Sequence, residues 1–317
     1  MCFINTFMVS NTNMKPLKKL IPAFLCAAIL GAVCLSFINY KSSPPLPKYK
    51  HVIVVIEENH DYDALIGSKN SPYITSLSEN GALFTDSHGI GHPSQPNYLA
   101  LFSGNTQGVV DDKCLMGETP YTAPNLGAAL LSNGYTFKGF AETMPTAGYL
   151  TCYYKTSTIT GQSLYARKHA PWVNWIGTKK NDIPASLSLP LTEFPSDFKD
   201  LPTVAFVIPN MDNDMHNIGA PGDDAAIQRG DKWLKENIAK YAEWAKTHDS
   251  LLIVTFDEDD SRTDVNQIPT IFYGAHVKTG KYNEHITHYN VLHTLEAMYK
   301  LPADDNQSAG VIGDVWK

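Results

Sequence analysis

The 317-residue sequence has no surplus of positive charge: 25 Lys and Arg stand against 32 Asp and Glu, a formal charge of −7. A chain this acidic cannot neutralise a phosphate backbone, which argues against nucleic acid as a partner. Cysteine is scarce at five residues, and Cys2, Cys26 and Cys34 all precede the body of the chain. The G-x-S-x-G pattern is missing, which excludes a serine-hydrolase elbow. No repeat or low-complexity tract occurs. With 18% charged and 43% hydrophobic residues, the composition is that of a globular protein with one large domain or two small ones.

The N-terminus differs from the rest. Residues 1–40 carry Lys15, Lys18 and Lys19, no acid, and an apolar run from Leu20 to Ile38. That is the plan of an export signal, or of a retained membrane anchor. Cys34 follows Val33, where a lipoprotein signal would want a small residue. Without those lysines, 22 basic residues face 32 acidic ones, a formal −10. An exported chain meets an oxidising compartment, periplasmic, secreted or on the outer face of a membrane. There the remaining pair, Cys114 and Cys152, reads as one disulfide. Residues 41–49, with Pro44, Pro45 and Pro47, form a linker. Residues 50–317 read as one catalytic domain with an insertion around 110–200.

Strand and helix patterns alternate along that domain. Ser71-Pro72 opens a helix that ends at Gly81, and a second runs from Pro124 to Asn133. Asp223 or Asp224 caps a long helix to about His248, with Ile227, Leu234, Ile238, Tyr241 and Ala245 on one face. Tyr135–Phe140, Thr203–Ile208 and Ile268–Tyr273 read as strands, and Thr287–Lys300 as the last helix. The stretch from Cys152 to Asp200 has no clear period and reads as a substrate-side insertion. Alternation of this kind predicts an α/β fold, three layers α/β/α around a mostly parallel sheet.

Two strand-like runs each end in paired acids: His51–Ile56 before Glu57-Glu58-Asn59, and Leu251–Phe256 before Asp257-Glu258. In open α/β sheets the ligand sits beyond the carboxyl ends of the strands. Carboxylates converging there repel one another unless a cation lies between them, so the pattern predicts a divalent metal site. His92-Pro93-Ser94 places Ser94 at a helix start, as an N-cap, a phosphate-binding hydroxyl or a metal-activated nucleophile. Asp212, Asp214 and His216 follow another strand and suit a divalent ion, although Asx turns explain the aspartates equally well. His288 opens the final helix, where a lone histidine is usually structural. Arg229-Gly-Asp231 matches an adhesion tripeptide but lies inside a helix. Trp172 and Trp175 either line a mouth or pack.

The order of these pieces resembles the alkaline-phosphatase-like superfamily. E-N-H-x-Y-D (Glu58–Asp63), H-P-S-Q-P-N-Y (His92–Tyr98), P-N-x-x-N-D-M-H (Pro209–His216) and F-D-E-D (Phe256–Asp259) look like the phosphoesterase family of bacterial acid phosphatases and phosphatidylcholine-type phospholipases C. The resemblance covers roughly residues 50–300. It implies that Glu58, Ser94, Asp257 and Glu258 surround one metal and that Asn59 bonds a phosphoryl oxygen. Asp214, His216 and His288 would form a second metal site or orient the leaving group, with Asp212 competing for Asp214's place. Tyr165–Trp172 also looks like a family segment, in which His169 would contact phosphate or donate a proton. Alkaline phosphatases carry Asp-His where this chain has Asp257-Glu258, an oxygen-only set that suits a harder ion than zinc.

The resemblance thus implies one or two divalent ions (Mg, Mn, Ca or Zn) and hydrolysis of a small-molecule or lipid phosphate monoester through a phosphoserine on Ser94. A phosphodiesterase or phospholipase C acting on lipid headgroups is the enzymatic alternative. A non-catalytic metal- or phosphate-binding module is the alternative of another class.

Overall fold

His51 to Ile56 is an unbroken run of strand-forming residues, and it becomes one of the two innermost strands of an eight-stranded sheet. The computed structural model describes residues 45–117, 120–261, 264–302 and 309–317. The expected export or anchor segment, with its three cysteines, and the start of the linker lie outside them. The described residues fall in one compact unit.

In chain order the first half holds β1 (His51–Glu57), α1 (Tyr62–Leu65), α2 (Pro72–Asn80), β2 (Ala82–Phe84), β3 (Ser87–His88), α3 (Ser94–Ser103), α4 (Leu126–Ser132), β4 (Phe137–Ala141), β5 (Tyr153–Thr156) and β6 (Ser163–Ala166). The second half holds β7 (Ser188–Pro190), β8 (Val204–Ile208), α5 (Asp223–Ala245), β9 (Ser250–Phe256), β10 (Thr270–Gly274), β11 (Gly280–Tyr282), β12 (Ile286–Thr287) and α6 (His288–Tyr299). The sheet runs β11-β2-β10-β9-β1-β8-β4-β7. β1 lies parallel to β8 and β9, and β4 parallel to β8 and β7, while β10 is antiparallel to both its neighbours.

The pleat divides β1 between two cores. Val52, Val54 and Ile56 face one apolar cluster with Leu99 and Phe102 of α3, Leu130 of α4 and Leu295 of α6. Ile53 and Val55 face another with Leu77 of α2 and Leu234, Ile238 and Tyr241 of α5. Helices thus cover both faces, a three-layer α/β/α fold.

Several local expectations change in detail. Ser71 occupies the N-cap position of α2, yet its hydroxyl donates to the Leu65 carbonyl at 2.6 Å. The Asp231 carboxylate of α5 instead accepts from the amides of Tyr73 (2.8 and 3.1 Å) and Ile74 (2.8 Å). The adhesion-like tripeptide is therefore a tertiary helix cap. Gly222, not an aspartate, caps α5, with Asp223 and Asp224 in its first turn. Trp172 and Trp175 are fully buried, and their indoles donate to Ser188 and to the Ala123 carbonyl. Trp172 lies flat against Gly139 of β4, where any Cβ would meet the ring at 2.1 Å. The aperiodic 152–200 stretch contains the β5–β6 hairpin and several 3-10 turns, and its residues 188–190 extend the main sheet as β7.

Candidate active site

The parallel strands β1, β8 and β9 all end at one edge of the sheet, and the site assembles there. β1 runs out at Glu57, and Asn59 takes a left-handed backbone (φ 43°) that turns the chain away. Alternation sends Glu57 to the α5 side, while Glu58 meets α3. Glu57 is fully buried with neither oxygen bonded, and burial and nearby Asp214 and Glu142 push its pKa well up. The neutral form of this acid is thereby favoured.

Ser94 is the first residue of α3 and is buried. Its Oγ lies 3.1 Å from Glu58 Oε2 and 3.1 Å from Glu258 Oε1. Asn59 Nδ2 donates to Glu258 Oε1 at 2.9 Å, and its backbone amide to Asp257 Oδ1 at 3.2 Å. Glu58, Ser94, Asn59, Asp257 and Glu258, predicted together, do meet. Gln95 N–H, one of the free amides at the start of α3, is taken by Asp112 at 2.9 Å.

The nitrogen donors lie on the other side of Glu58. His169 places Nε2 at 2.9 Å from Glu58 Oε1 and Nδ1 at 3.2 Å from Asp214 Oδ2. The first contact is electrostatic only, because both atoms lack an aligned hydrogen-bond partner. Tyr98 stacks on the His169 ring, 5.0 Å between centroids. Met215, at φ 80°, swings His216 around so that its ring lies 5.7 Å from that of His169. Ligand atoms of Glu58, His169 and His216 all fall within 4.8 Å of one another. His216 and Asn59 line a cavity of about 450 Å³ with Ile218, Asp223 and Asp260.

Two predicted residues are placed differently. Asp212 accepts from Ser157, from Thr160 Oγ1 at 2.9 Å and from Asn217 Nδ2 at 2.8 Å, so it clamps the turn after β5. Its competitor Asp214 is the one that reaches His169. His288 Nε2 donates to the Asp257 backbone carbonyl at 2.6 Å, so it props the strand end behind the carboxylates. Burial lowers its pKa to about 4, which keeps the ring neutral.

Sequence reasoning passed over three further groups. His92 bridges Glu258 Oε2 (2.8 Å) and Asp259 Oδ1 (3.2 Å). Asn97 holds Ile90 N–H at 2.7 Å, the Gly91 carbonyl at 2.7 Å, and Glu258 Oε2 at 3.4 Å. Both sit inside the His92–Tyr98 motif, which was the available signal. Lys168 is buried with Nζ 2.6 Å from Asp112 Oδ2. Burial alone would lower its pKa, but Glu58 and Asp112 more than reverse that. The Cys114–Cys152 disulfide forms as expected and ties the Asp112 loop to β5.

The electrostatics test whether a cation fits. Burial would raise the Glu58 pKa, but His169 and Lys168 hold it well below the usual range. The same pairing overcomes burial to lift His169 to about 9. Burial followed by repulsion from Glu58 pushes Asp257 far up and Glu258 to about 8. Burial lowers the His216 pKa. Glu58 Oε1, Asp257 Oδ2 and Asn59 Oδ1 are buried oxygens with no hydrogen-bond partner. Three carboxylates, a hydroxyl and unsatisfied buried oxygens have the chemistry that suits a hard divalent ion, but of the predicted site residues it is Glu58, His169 and His216 whose ligand atoms converge within 4.8 Å. Glu58 is shared with the mixed set of His169 and His216. Among the described residues, Asp86–His88–His285 and Asp61–Asp259–Asp260 also bring three donors within that 4.8 Å limit.

The architecture that carries this site is the alkaline phosphatase superfamily fold. It superposes with a TM-score of 0.58 on a superfamily protein from Vibrio parahaemolyticus, at 12% identity over 84% of this chain and 70% of that one. A lipoteichoic acid synthase from Listeria monocytogenes gives 0.56 at 12% identity, over 84% and 76% of the two chains. A family match and sequence relatives make the chain a phosphoric ester hydrolase. The chain belongs to the Phosphoesterase family, which matches residues 68–302. It is 47% identical over 313 residues to the phosphatidylinositol-3-phosphatase of Mycobacterium tuberculosis, covering 95% of this chain and 96% of that one. It is 30% identical over 261 residues to a probable acid phosphatase of Kluyveromyces lactis, covering 80% of this chain but 59% of the relative. The chain spans 54% of an acid phosphatase of Aspergillus fumigatus.

Proposed function

We propose that the chain is a metal-dependent phosphate monoesterase in which Ser94 is the nucleophile, and that its substrates include a phosphorylated lipid headgroup. The observation that carries the reading is the Ser94 hydroxyl at 3.1 Å from both Glu58 and Glu258. One or two divalent ions (Mg, Mn, Ca or Zn), held by Glu58, Asp257, Glu258 and Ser94 and by His169 and His216, would polarise the phosphoryl group and acidify the serine hydroxyl.

Ser94 Oγ gives its proton to a flanking carboxylate and bonds to phosphorus. The bond from phosphorus to the ester oxygen breaks, and the alcohol leaves with a proton taken from water in the cavity that His216 lines. Water then breaks the Oγ–P bond of the phosphoserine and releases inorganic phosphate. Asn59 Nδ2 spends one hydrogen on Glu258 and has a second for a phosphoryl oxygen. His169, lifted to about 9 by Glu58 while no ion is bound, would give up its proton on holding one.

The lipid element rests on the near full-length relation to the mycobacterial phosphatase. Export, by signal or anchor, is supported by the lysine-led apolar N-terminus and by the Cys114–Cys152 bond, which suits an oxidising compartment. Hydrolysis of p-nitrophenyl phosphate against bis-p-nitrophenyl phosphate, with EDTA, with added ions and in Ser94→Ala, tests the reading. The expected result is ion-dependent monoester cleavage lost by about a thousandfold or more in the variant. Preference for the diester, or full activity in Ser94→Ala, would overturn it.

A further inference from the structure

Nine large apolar side chains are exposed among the described residues, and seven of them come from residues 110–159 and Ile218, beside the site. Val110 and Met116 lie on the loop that holds Asp112. The Cys114–Cys152 disulfide joins that loop to the stretch bearing Leu150, Tyr153 and Tyr154. There β5 is exposed along its whole length, and Tyr149 packs its ring on Tyr154 at 5.9 Å. The turn after β5 carries Ile159 and is clamped to Asp212 through Ser157 and Thr160. Thr160 lies so close to Gly219 that a Cβ there would meet it at 2.9 Å, which puts Ile218 alongside. Ile218 in turn lines the cavity of Asn59 and His216.

The exposed apolar residues therefore sit on segments fastened to one another, a rim whose last member, Ile218, reaches the lip of the site. Soluble proteins seldom expose contiguous apolar surface without a use for it. The rim carries little positive charge: Lys113 pairs with Asp111 at 2.7 Å, Lys155 of β5 is the other exposed lysine among these residues, and the chain as a whole is acidic. Attraction to an anionic surface is therefore not what would hold a partner. Apolar insertion is.

We propose that this rim docks onto a phospholipid bilayer, its apolar side chains entering the interface so that a phosphate-bearing headgroup is presented to Ser94. The inference rests on the lipid monoesterase reading and adds the surface that delivers the substrate. Insertion of a few apolar side chains needs no net positive charge and persists at raised salt.

The test uses the full chain and a Val110→Ser/Tyr153→Ser/Ile159→Ser variant, so that any N-terminal contribution is common to both. Phosphatidylcholine vesicles carrying phosphatidylinositol 3-phosphate are compared with a short-chain soluble form of the same lipid and with p-nitrophenyl phosphate. The variant is expected to lose about tenfold or more in kcat/KM on vesicles and in vesicle co-sedimentation, at low and high salt. Its rates on the two soluble substrates should match those of the parent. Equal vesicle rates and equal co-sedimentation would overturn the docking surface. Loss of p-nitrophenyl phosphate hydrolysis in the parent itself would sink the phosphatase reading instead, and co-sedimentation would still decide the rim.

Discussion

Returning a divalent ion to EDTA-stripped protein is expected to raise its melting temperature, with a pH dependence that the buried carboxylates dictate. An ion at about a hundred times its dissociation constant stabilises the folded state by about 2.7 kcal/mol. In a domain of this size each kcal/mol is worth about 2–4 °C, so the expected rise is roughly 5–11 °C. Burial and the charge of Glu58 hold the Glu258 carboxyl up at about 8, and Asp257 is shifted in the same direction. Between the ordinary glutamate range and that value, the folded stripped site keeps a proton that the unfolded chain has released. The stripped protein therefore loses stability as pH rises through this window. An ion must displace the proton, so its apparent affinity rises with pH, about tenfold per pH unit for each proton released. The two melting curves should accordingly diverge on going from about pH 6 to about pH 8. Differential scanning calorimetry with and without EDTA, on the parent and on Asp257→Asn/Glu258→Gln, measures this. Identical melting temperatures with and without each ion across the range would refute the site. A shift retained in full by the double variant would assign the ion to another group, such as Asp86, His88 and the exposed His285.

Asp231→Ala should destabilise the fold by about 2 kcal/mol in urea, because a charged acceptor serves two amides at the start of α2; an unchanged midpoint would deny it the capping role. Cys114→Ser/Cys152→Ser should cost up to about 4 kcal/mol from loop-closure entropy, the cross-link spanning 38 residues. Two free thiols in the untreated exported protein would mean the bond is not made. Gly139→Ala forces a methyl into the Trp172 ring and should cost about 1–3 kcal/mol, with expression and melting temperature as the readout.

How far the sequence discloses all this depends on which interactions are local. Glu58, Asp257 and Glu258 were readable because an apolar run fixes where a strand stops, and the sheet then brings the stops together. The reversed direction of β10 was not, since its residues suit either pairing sense. Neighbouring spacing could not separate Asp212 from Asp214: the left-handed turn at Met215 and the hydroxyls of Ser157 and Thr160, more than fifty residues away in the chain, decide which one reaches the site. His169 was available only through the family likeness, because nothing nearby in the chain announces its contact with Glu58. His288 shows the opposite failure. A helix-opening histidine at the right edge met a backbone carbonyl instead of joining the donor set, and only the packed fold distinguishes the two.

The helix α5 fastens two distant parts of the molecule within one turn. Arg229 donates to the carbonyls of Asp212 at 3.1 Å and Asn217 at 2.6 Å, Gly230 admits Met215, and Asp231 anchors α2. The loop that aims His216 thus takes its alignment from a helix packed largely on the far face of the sheet. If His216 acts as proposed, substitutions there would detune the imidazole without touching the pocket, and rate and affinity would shift while every residue facing the substrate stayed the same. Natural variation in turnover has a foothold well away from the chemistry, in three residues whose resemblance to an adhesion signal is accidental.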